Sequence, residues 1–203
     1  MNFQSGFPPE LILASASPRR ASLLRDLGWD FRVVPPDVEE DLLDGVPPPK
    51  QAERIASEKA DSVFSCFQDA LVIAADTIVV LENEILGKPV DHDDAIRMLS
   101  LLSGKTHSVI TGVAVRTKER FVSGFEKTRV TFRDLNDHEI LAYCSGGESM
   151  DKAGAYAIQG WGSLLVSSIE GCYFNVVGLP LYRLSRLLEE TGVALERQWG
   201  VRT

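Results

Sequence analysis

The segment from Leu71 to Leu81 places the strongest constraint on the fold, because it reads as one buried strand interrupted by Asp76 and Thr77. Its other residues are all apolar, a pattern typical of a strand that is covered on both faces. A carboxylate is costly to remove from water, so such surroundings keep one only when a metal, a cation or a substrate pairs with it. Asp76 is therefore the first candidate functional residue. The alternative is two short strands, with Asp76 and Thr77 in a turn or capping a helix.

The composition indicates a globular protein with a full hydrophobic core. Of its 203 residues, 44% are hydrophobic and 25% are charged, which favours one domain over residues 1–203. The formal net charge of -8 disfavours long nucleic acids and anionic membrane surfaces as partners. A local cluster of arginine and lysine can still hold a small anion, because fixed cations close to a ligand outweigh a diffuse and screened surface charge.

The cysteines and the lack of targeting signals favour a cytoplasmic protein. Cys66, Cys144 and Cys172 are widely spaced and form no CxxC pair, so we expect neither a disulfide framework nor a zinc site. No basic segment followed by an apolar one opens the sequence, and no apolar stretch approaches the roughly 20 residues that cross a bilayer. No membrane partner is expected.

Short apolar runs alternate with amphipathic patterns along the chain, which predicts an α/β fold around a mostly central sheet. The predicted extended segments are 11–14, 31–34, a strand pair around Asp76, 108–115, 121–132, 162–168 and 174–177. The predicted helices are 19–27, 50–64, 93–102, 136–145 and 180–190. In the first helix, the residues expected to share the buried face are Ala21, Leu23, Leu24 and Leu27.

The segment from Ser15 to Arg20, between a predicted strand and a predicted helix, has the outline of an anion site. Ser17 is a good N-cap and Pro18 suits the first helical turn, so free backbone N–H groups and the positive end of the helix dipole point into this loop. Arg19 and Arg20 run against the dipole preference for acids in a first turn, which suggests that a ligand supplies the negative charge. The alternative is an ordinary capped helix with two solvated arginines.

Two lysines and an acidic tract are further candidates. Helical spacing puts Lys59 on the same side as Ile55, which directs its ammonium inward, and Lys88 follows the strand pair in a loop. Glu40, in the acidic tract 37–41, offers a second carboxylate for a hard cation. The alternative for each of these side chains is an ordinary solvated position on the protein surface.

A glycine-rich segment over residues 151–162 suits a nucleobase. Gly154, Gly160 and Gly162 permit a close backbone approach. Tyr156 offers a flat apolar surface, and Gln159 offers a paired donor and acceptor. The spacing is neither that of a Walker loop nor that of a GxGxxG dinucleotide motif.

Taken together, these motifs resemble the Maf family of nucleoside triphosphate pyrophosphatases. The resemblance spans nearly the whole chain in the family's order and rests on Leu13 to Arg20, Ala75-Asp76-Thr77, Leu86 to Pro89, Leu102-Ser103-Gly104 and Asp151 to Tyr156. It implies a fold like that of the inosine triphosphatases, with a mixed central sheet, flanking helices and two lobes around a cleft. It also implies Mg²⁺- or Mn²⁺-dependent cleavage of a nucleoside triphosphate to the monophosphate and pyrophosphate, in a nucleotide-pool cleansing role. A homodimer is expected by the same resemblance.

The resemblance also assigns roles to residues. The segment 154–160 is similar to the branch that acts on dTTP and UTP. Asp76 matches the catalytic acidic residue of the family. We expect Asp76, with Glu40 as its partner, to hold the metal ion, and the sequence leaves open whether Asp76 is chiefly a metal ligand or a general base. The positions tied to substrate choice are Arg19, Thr77 and Gln159, and the other polar residues of the site are Ser15, Arg20, Glu40, Lys59 and Lys88. Ala75 and Ala157 stand where the family commonly has glycine, and residues 1–10 form an N-terminal extension.

Two other function classes stay open. A catalytically weak nucleotide sensor that regulates cell division at septum formation could use the same residues. A nucleotide phosphotransferase would need an acceptor site and usually a glycine-rich phosphate loop, which this sequence lacks.

Overall fold

The computed structural model describes residues 10–200, so the expected N-terminal extension lies outside the described residues except for Glu10. Within that range the chain forms a seven-stranded sheet flanked by seven α-helices. The strands are β1 Leu11–Ala14, β2 Arg32–Val33, β3 Leu71–Leu81, β4 Glu84–Leu86, β5 Thr106–Arg116, β6 Phe121–Phe132 and β7 Val166–Glu170. The helices are α1 Pro18–Asp26, α2 Pro48–Phe64, α3 His92–Leu102, α4 Asp137–Ser145, α5 Tyr173–Val177, α6 Leu181–Glu190 and α7 Leu195–Gln198.

The sheet is mixed, which confirms the predicted α/β fold. Its strand order is β2-β1-β3-β5-β6-β7, and β4 pairs with β3 beside this path. β1 runs parallel to β2 and β3, whereas the pairs β3–β4 and β6–β7 are antiparallel. The described residues form two compact units: residues 10–76, 111–126 and 178–200 make the first, and 77–110 with 127–177 make the second. The single domain over residues 1–203 and its cleft stay predictions.

The segment that interrupts its own apolar pattern is one continuous strand. β3 runs through Asp76 and Thr77 without a break, and ten of its eleven residues are buried. The alternative of two short strands joined by a turn is therefore wrong. The strand continues through these polar residues because β3 pairs with β1 along its first half. The Asp76 carboxylate is also compatible with burial, because it has a cationic partner.

In the first unit, small side chains bring helix α2 close to the sheet. Its core combines Ile12 and Val72 from the strands with Ala56 and Ala60 from α2. Gly112 of β5 lies directly against α2, since a Cβ atom on it would lie 2.1 Å from the backbone oxygen of Ala52. No side chain fits there without moving α2.

Helix α1 follows the predicted pattern with one exception. The Ser17 side chain accepts a hydrogen bond from the Arg20 N–H at 3.5 Å, and Pro18 opens the helix. The predicted burial of Leu27 is wrong, because this residue caps the helix after Asp26 and is 44% exposed.

The second unit has a separate core, in which α3 and α4 pack together. The Asp91 side chain caps α3, and Asn136 with Glu139 forms a capping box on α4. The extended structure predicted over 174–177 is wrong, since these residues belong to α5. Buried Asn175 donates hydrogen bonds from its amide to Val109 O and Thr128 Oγ1, both at 2.9 Å, and such tertiary contacts outweigh the β propensity of the neighbouring valines.

The predicted extended segment over 162–168 is partly correct. Gly160–Leu164 is a 3₁₀ helix, and the strand begins only at Val166. Across residues 10–200, none of the helices is both long enough and apolar enough to cross a membrane.

Candidate active site

Two carboxylates of the first unit converge on one ammonium group. Lys59 Nζ donates a hydrogen bond to Asp76 Oδ1 at 2.6 Å and lies 2.7 Å from Glu40 Oε1. Lys59 and Asp76 are each 6% exposed, whereas Glu40 is exposed. The cation that the buried Asp76 requires is therefore present within the chain itself.

Helix α2 directs Lys59 to this position. Its buried face is formed by Ala52, Ile55, Ala56 and Ala60, and Lys59 belongs to the same face. Small neighbours leave room for the lysine stem, so the inward orientation predicted from helical spacing is confirmed.

The same helix also fixes the irregular segment that carries Glu40. Gln51 Nε2 donates to Leu43 O at 2.5 Å, Arg54 donates to Asp41 O, and Ser62 Oγ donates to Asp37 O at 3.3 Å. Gln51 is almost fully buried, and it is not among the residues predicted for the site. Its signal in the sequence is its spacing, because Gln51 lies four residues before Ile55 and so shares the helix face predicted for Lys59.

The loop between β1 and α1 is built around Ser15 and Arg20. Buried Ser15 accepts hydrogen bonds at its Oγ from Ser17 N and from Arg20 Nη1, both at 3.2 Å. Arg20 also donates from Nη1 to Ala75 O at 2.8 Å and from Nε to Gly178 O at 2.7 Å. Arg20 thus connects this loop to the residue that precedes Asp76.

The electrostatics of Arg20 reflect this position. Burial lowers the pKa of the guanidinium below its ordinary value, and the carboxylates of Asp76 and Glu40 oppose that shift. Arg19, next to it, is half-buried at the start of α1. The role of both arginines in binding phosphate stays a prediction.

The remaining predicted site residues belong to the second unit. Thr77 is half-buried on β3, and Lys88 is exposed in the segment after β4. Gly154 N–H donates to Gly87 O at 3.0 Å, which joins the glycine-rich segment to the segment that carries Lys88. Gly154 has a φ of +68°, and a Cβ atom on it would lie 3.0 Å from Val79, so glycine is required at this contact.

Tyr156 and Gln159 lie in different environments. Gln159 is exposed, in keeping with its predicted contact to a base. Tyr156 is only 5% exposed; its hydroxyl lies 2.7 Å from His107 Nε2 and its ring packs edge-on against Phe132. The interpretation of Tyr156 as a flat surface for a base is therefore wrong, because both its ring and its hydroxyl face the core.

The structure thus brings together one group of the predicted residues. Within the first unit the group is Ser15, Arg20, Glu40, Lys59 and Asp76. Among residues 10–200 no cluster of three or more histidine, cysteine, aspartate or glutamate side chains is arranged to hold a metal ion. The metal site at Asp76 and Glu40 stays a prediction, and both carboxylates lie against the Lys59 ammonium.

Comparisons with known proteins find similar sequences over most of the chain. A family model described as "Maf-like protein" matches residues 10–191. The "dTTP/UTP pyrophosphatase" of Syntrophomonas wolfei subsp. wolfei is 51% identical over 187 residues, which cover 91% of this chain and 99% of that protein. The protein of the same name from Moorella thermoacetica is 50% identical over 193 residues, covering 94% and 98% of the two chains.

Solved structures give a weaker likeness. The Ham1 protein of Staphylococcus aureus aligns over 62% of this chain and 72% of its own, with 14% identity and a TM-score of 0.44. The HAM1 protein of Coxiella burnetii covers 61% and 72%, with 17% identity and a TM-score of 0.41.

Proposed function

This chain belongs to the Maf family, and from that premise we propose that it hydrolyses dTTP and UTP to the monophosphates and pyrophosphate, and so cleanses the nucleotide pool. The observation that carries the proposal is the buried Asp76 carboxylate, which is paired with Lys59 and lies one residue beyond a carbonyl held by Arg20. Relatives that are about half identical over nine-tenths of the chain bear the name dTTP/UTP pyrophosphatase.

A divalent cation, Mg²⁺ or Mn²⁺, is part of this proposal. Asp76 and Glu40 would hold it, because two carboxylates that already approach one ammonium at 2.6 and 2.7 Å offer hard oxygen donors. Mg²⁺ typically takes one or two carboxylates and completes its shell with water and substrate phosphates, so the absence of a larger acidic cluster within residues 10–200 fits this ion. When bound, the ion supplies positive charge to the phosphate oxygens and polarises the α-phosphorus.

The chain's own residues bind and orient the reactants. The positive end of the α1 helix dipole, together with Arg19 and Lys88, offers positive charge to the triphosphate. Arg20 fixes the loop before α1, since it donates hydrogen bonds to Ser15 Oγ, Ala75 O and Gly178 O. We assign Asp76 to orienting the attacking water and accepting its proton, with Lys59 fixing the carboxylate through their hydrogen bond.

Base selection is assigned to Thr77 and Gln159. Uracil and thymine present an N3–H donor between two acceptors, and an exposed carboxamide can pair with that edge. An amide can also turn over to serve cytosine, so a second group such as Thr77 must fix its orientation.

A product analysis tests the proposed function. The purified chain is incubated with dTTP, UTP, CTP and GTP in Mg²⁺ or Mn²⁺, and the products are separated by anion-exchange chromatography. We expect monophosphate and pyrophosphate from dTTP and UTP, and no turnover after removal of divalent ions with a chelator. Release of orthophosphate and a diphosphate would point to another hydrolase, and binding without turnover would favour a nucleotide sensor. Light scattering on the same sample checks the expected homodimer.

A further inference from the structure

A buried histidine and a buried tyrosine form a polar pair inside the apolar core of the second unit. His107 on β5 is 2% exposed, and its Nε2 lies 2.7 Å from the Tyr156 hydroxyl. Both rings stand edge-on to Phe132, with ring centroids 5.1 Å and 4.7 Å from it. The proposed function uses neither side chain.

Both members of the pair are neutral near pH 7. Burial lowers the pKa of His107 to about 4 and raises the pKa of the Tyr156 hydroxyl above its ordinary value. His107 Nδ1 is buried and has no hydrogen-bond partner among the described residues. The histidine therefore depends on Tyr156 to satisfy its ring, and loss of the hydroxyl would leave a polar group unpaired in apolar surroundings.

The pair lies just before the residue assigned to the base. Tyr156 and Gln159 each have extended backbone angles, with φ of -144° and -99°, and the chain bends at Ile158 and Gln159. Burial alternates between them, since Tyr156 and Ile158 are buried, Ala157 is half-buried and Gln159 is exposed. A shift of the segment by one residue would therefore put Gln159 at the buried position that Ile158 occupies.

Apolar packing alone fixes this register weakly, because Tyr156 and Ile158 would both be accepted by an apolar pocket of adequate size. A hydrogen bond at one defined point is more selective. The Ala157 N–H, which donates to the Tyr143 hydroxyl at 3.3 Å, adds a second and longer anchor.

We propose that His107 and Tyr156 are positioning residues, which set the register of the 156–159 segment so that Gln159 faces the substrate base. The inference rests on the proposed function and adds to it a determinant of base discrimination that does not itself contact the substrate.

Four variants test the proposal, with the ratio of kcat/KM for dTTP to that for CTP as the readout. Tyr156→Phe and His107→Leu should each lower this ratio by about fivefold or more, while kcat for saturating dTTP stays within about twofold. His107→Gln should keep most of the ratio, because the glutamine amide can again bond the hydroxyl. The double variant His107→Leu/Tyr156→Phe should regain thermal stability, since both polar groups are gone, but should not regain the ratio.

Controls of the same chemistry are available on the surface. His138→Gln and Tyr182→Phe alter exposed residues and should leave both stability and discrimination unchanged. Recovery of discrimination together with stability in the double variant would show that the pair serves stability alone and would overturn the proposal. An unchanged ratio in Tyr156→Phe would overturn it as well.

Amide hydrogen exchange without nucleotide separates this inference from the proposed function. The backbone amides of residues 156–160 should exchange faster than in the wild type in Tyr156→Phe, His107→Leu and the double variant. In His107→Gln they should exchange at close to the wild-type rate. If the wild-type chain releases no pyrophosphate from dTTP, the proposed function fails, while exchange still reports whether the pair holds the segment. Equal exchange in wild type and Tyr156→Phe would refute the positioning role whatever the activity.

Discussion

At the scale of single residues, the charges of Asp76, Lys59 and Glu40 depend on one another. Removing one member of a buried ion pair usually costs more than the pair contributes, because the charge that remains has no partner. Lys59 has two carboxylates within 2.7 Å, so loss of one leaves the other in place. This arrangement allows the chemistry of Asp76 to be tested with little damage to the fold.

Asp76→Asn should lower kcat for dTTP by roughly a hundredfold or more, since it keeps the shape of the side chain but removes the charge that positions water. The thermal transition should remain, because Glu40 still neutralises Lys59. Steady-state kinetics and a melting curve provide the two measurements. A variant with nearly wild-type kcat would refute the catalytic assignment, and loss of the transition would assign Asp76 to the structure instead.

Gln159→Ala should lower kcat/KM for dTTP and UTP by about ten to a hundredfold and narrow their advantage over CTP. The products and the metal requirement should not change, because the residue is assigned to the base and not to the phosphates. Gln68→Ala, at another exposed glutamine, is the matched control. If discrimination against CTP survives intact in Gln159→Ala, the base is recognised by other residues.

At the scale of elements, hydrogen bonds from helices to irregular segments place the candidate site. Helix α2 supplies Lys59 and also fixes the Glu40 segment through Gln51 and Arg54. Arg20 at the start of α1 fixes its own loop through a hydrogen bond to Ser15 Oγ, and it also donates to the backbone of β3 at Ala75 O. The loops are thus irregular in backbone angles but are held at defined points.

Arg20→Lys should lower the free energy of unfolding by about 1–3 kcal/mol, because a lysine ammonium cannot reproduce the forked contacts of a guanidinium to two carbonyls and a hydroxyl. Urea denaturation measures the loss. Arg19→Lys is the matched control at the adjacent position and should cost less stability than Arg20→Lys. Equal losses in the two variants would contradict a specific anchoring role for Arg20.

Sequence patterns predicted the elements whose burial follows a regular period. The apolar run of β3, the inward Lys59 of α2 and the capped start of α1 all follow from spacing. Two of the errors fall where a distant contact decides the outcome. Tyr156 is buried because it packs against His107 and Phe132, which are distant in sequence. Residues 174–177 are helical, and Asn175 among them makes buried hydrogen bonds to distant strands.

At the scale of the whole molecule, the two compact units are made from interleaved stretches of chain. The division falls between Asp76 and Thr77 on β3, and β5 and β6 also pass from one unit to the other. Each unit has its own apolar core, and the core of the second unit encloses a titratable histidine. The stability of this unit is therefore expected to depend on pH.

Acid should destabilise the wild-type chain more than His107→Gln. The folded pKa of His107, about 4, lies below the unfolded value of about 6.5, so the unfolded state binds a proton first as the pH falls. Neutral His107 therefore contributes fully to the free energy of unfolding above about pH 6.5, and this contribution is lost as the pH falls towards 4. Between pH 7 and pH 5 the wild type should lose about 2 kcal/mol more unfolding free energy than the variant.

Urea denaturation at the two pH values measures this difference. The other two histidines are present in both proteins, so their contributions cancel in the comparison. Parallel losses in the wild type and His107→Gln would show that His107 does not remain neutral in the fold.

The contact between Gly112 and Ala52 has a consequence for how this sequence can vary. A methyl group on Gly112 would collide with the backbone of α2, and Lys59 lies two turns along the same helix from Ala52. Any larger residue at position 112 would act as a wedge and carry the ammonium away from Asp76. In a saturation mutagenesis screen scored by activity, position 112 would thus behave as if it were catalytic, although glycine has no side chain with which to take part in the reaction.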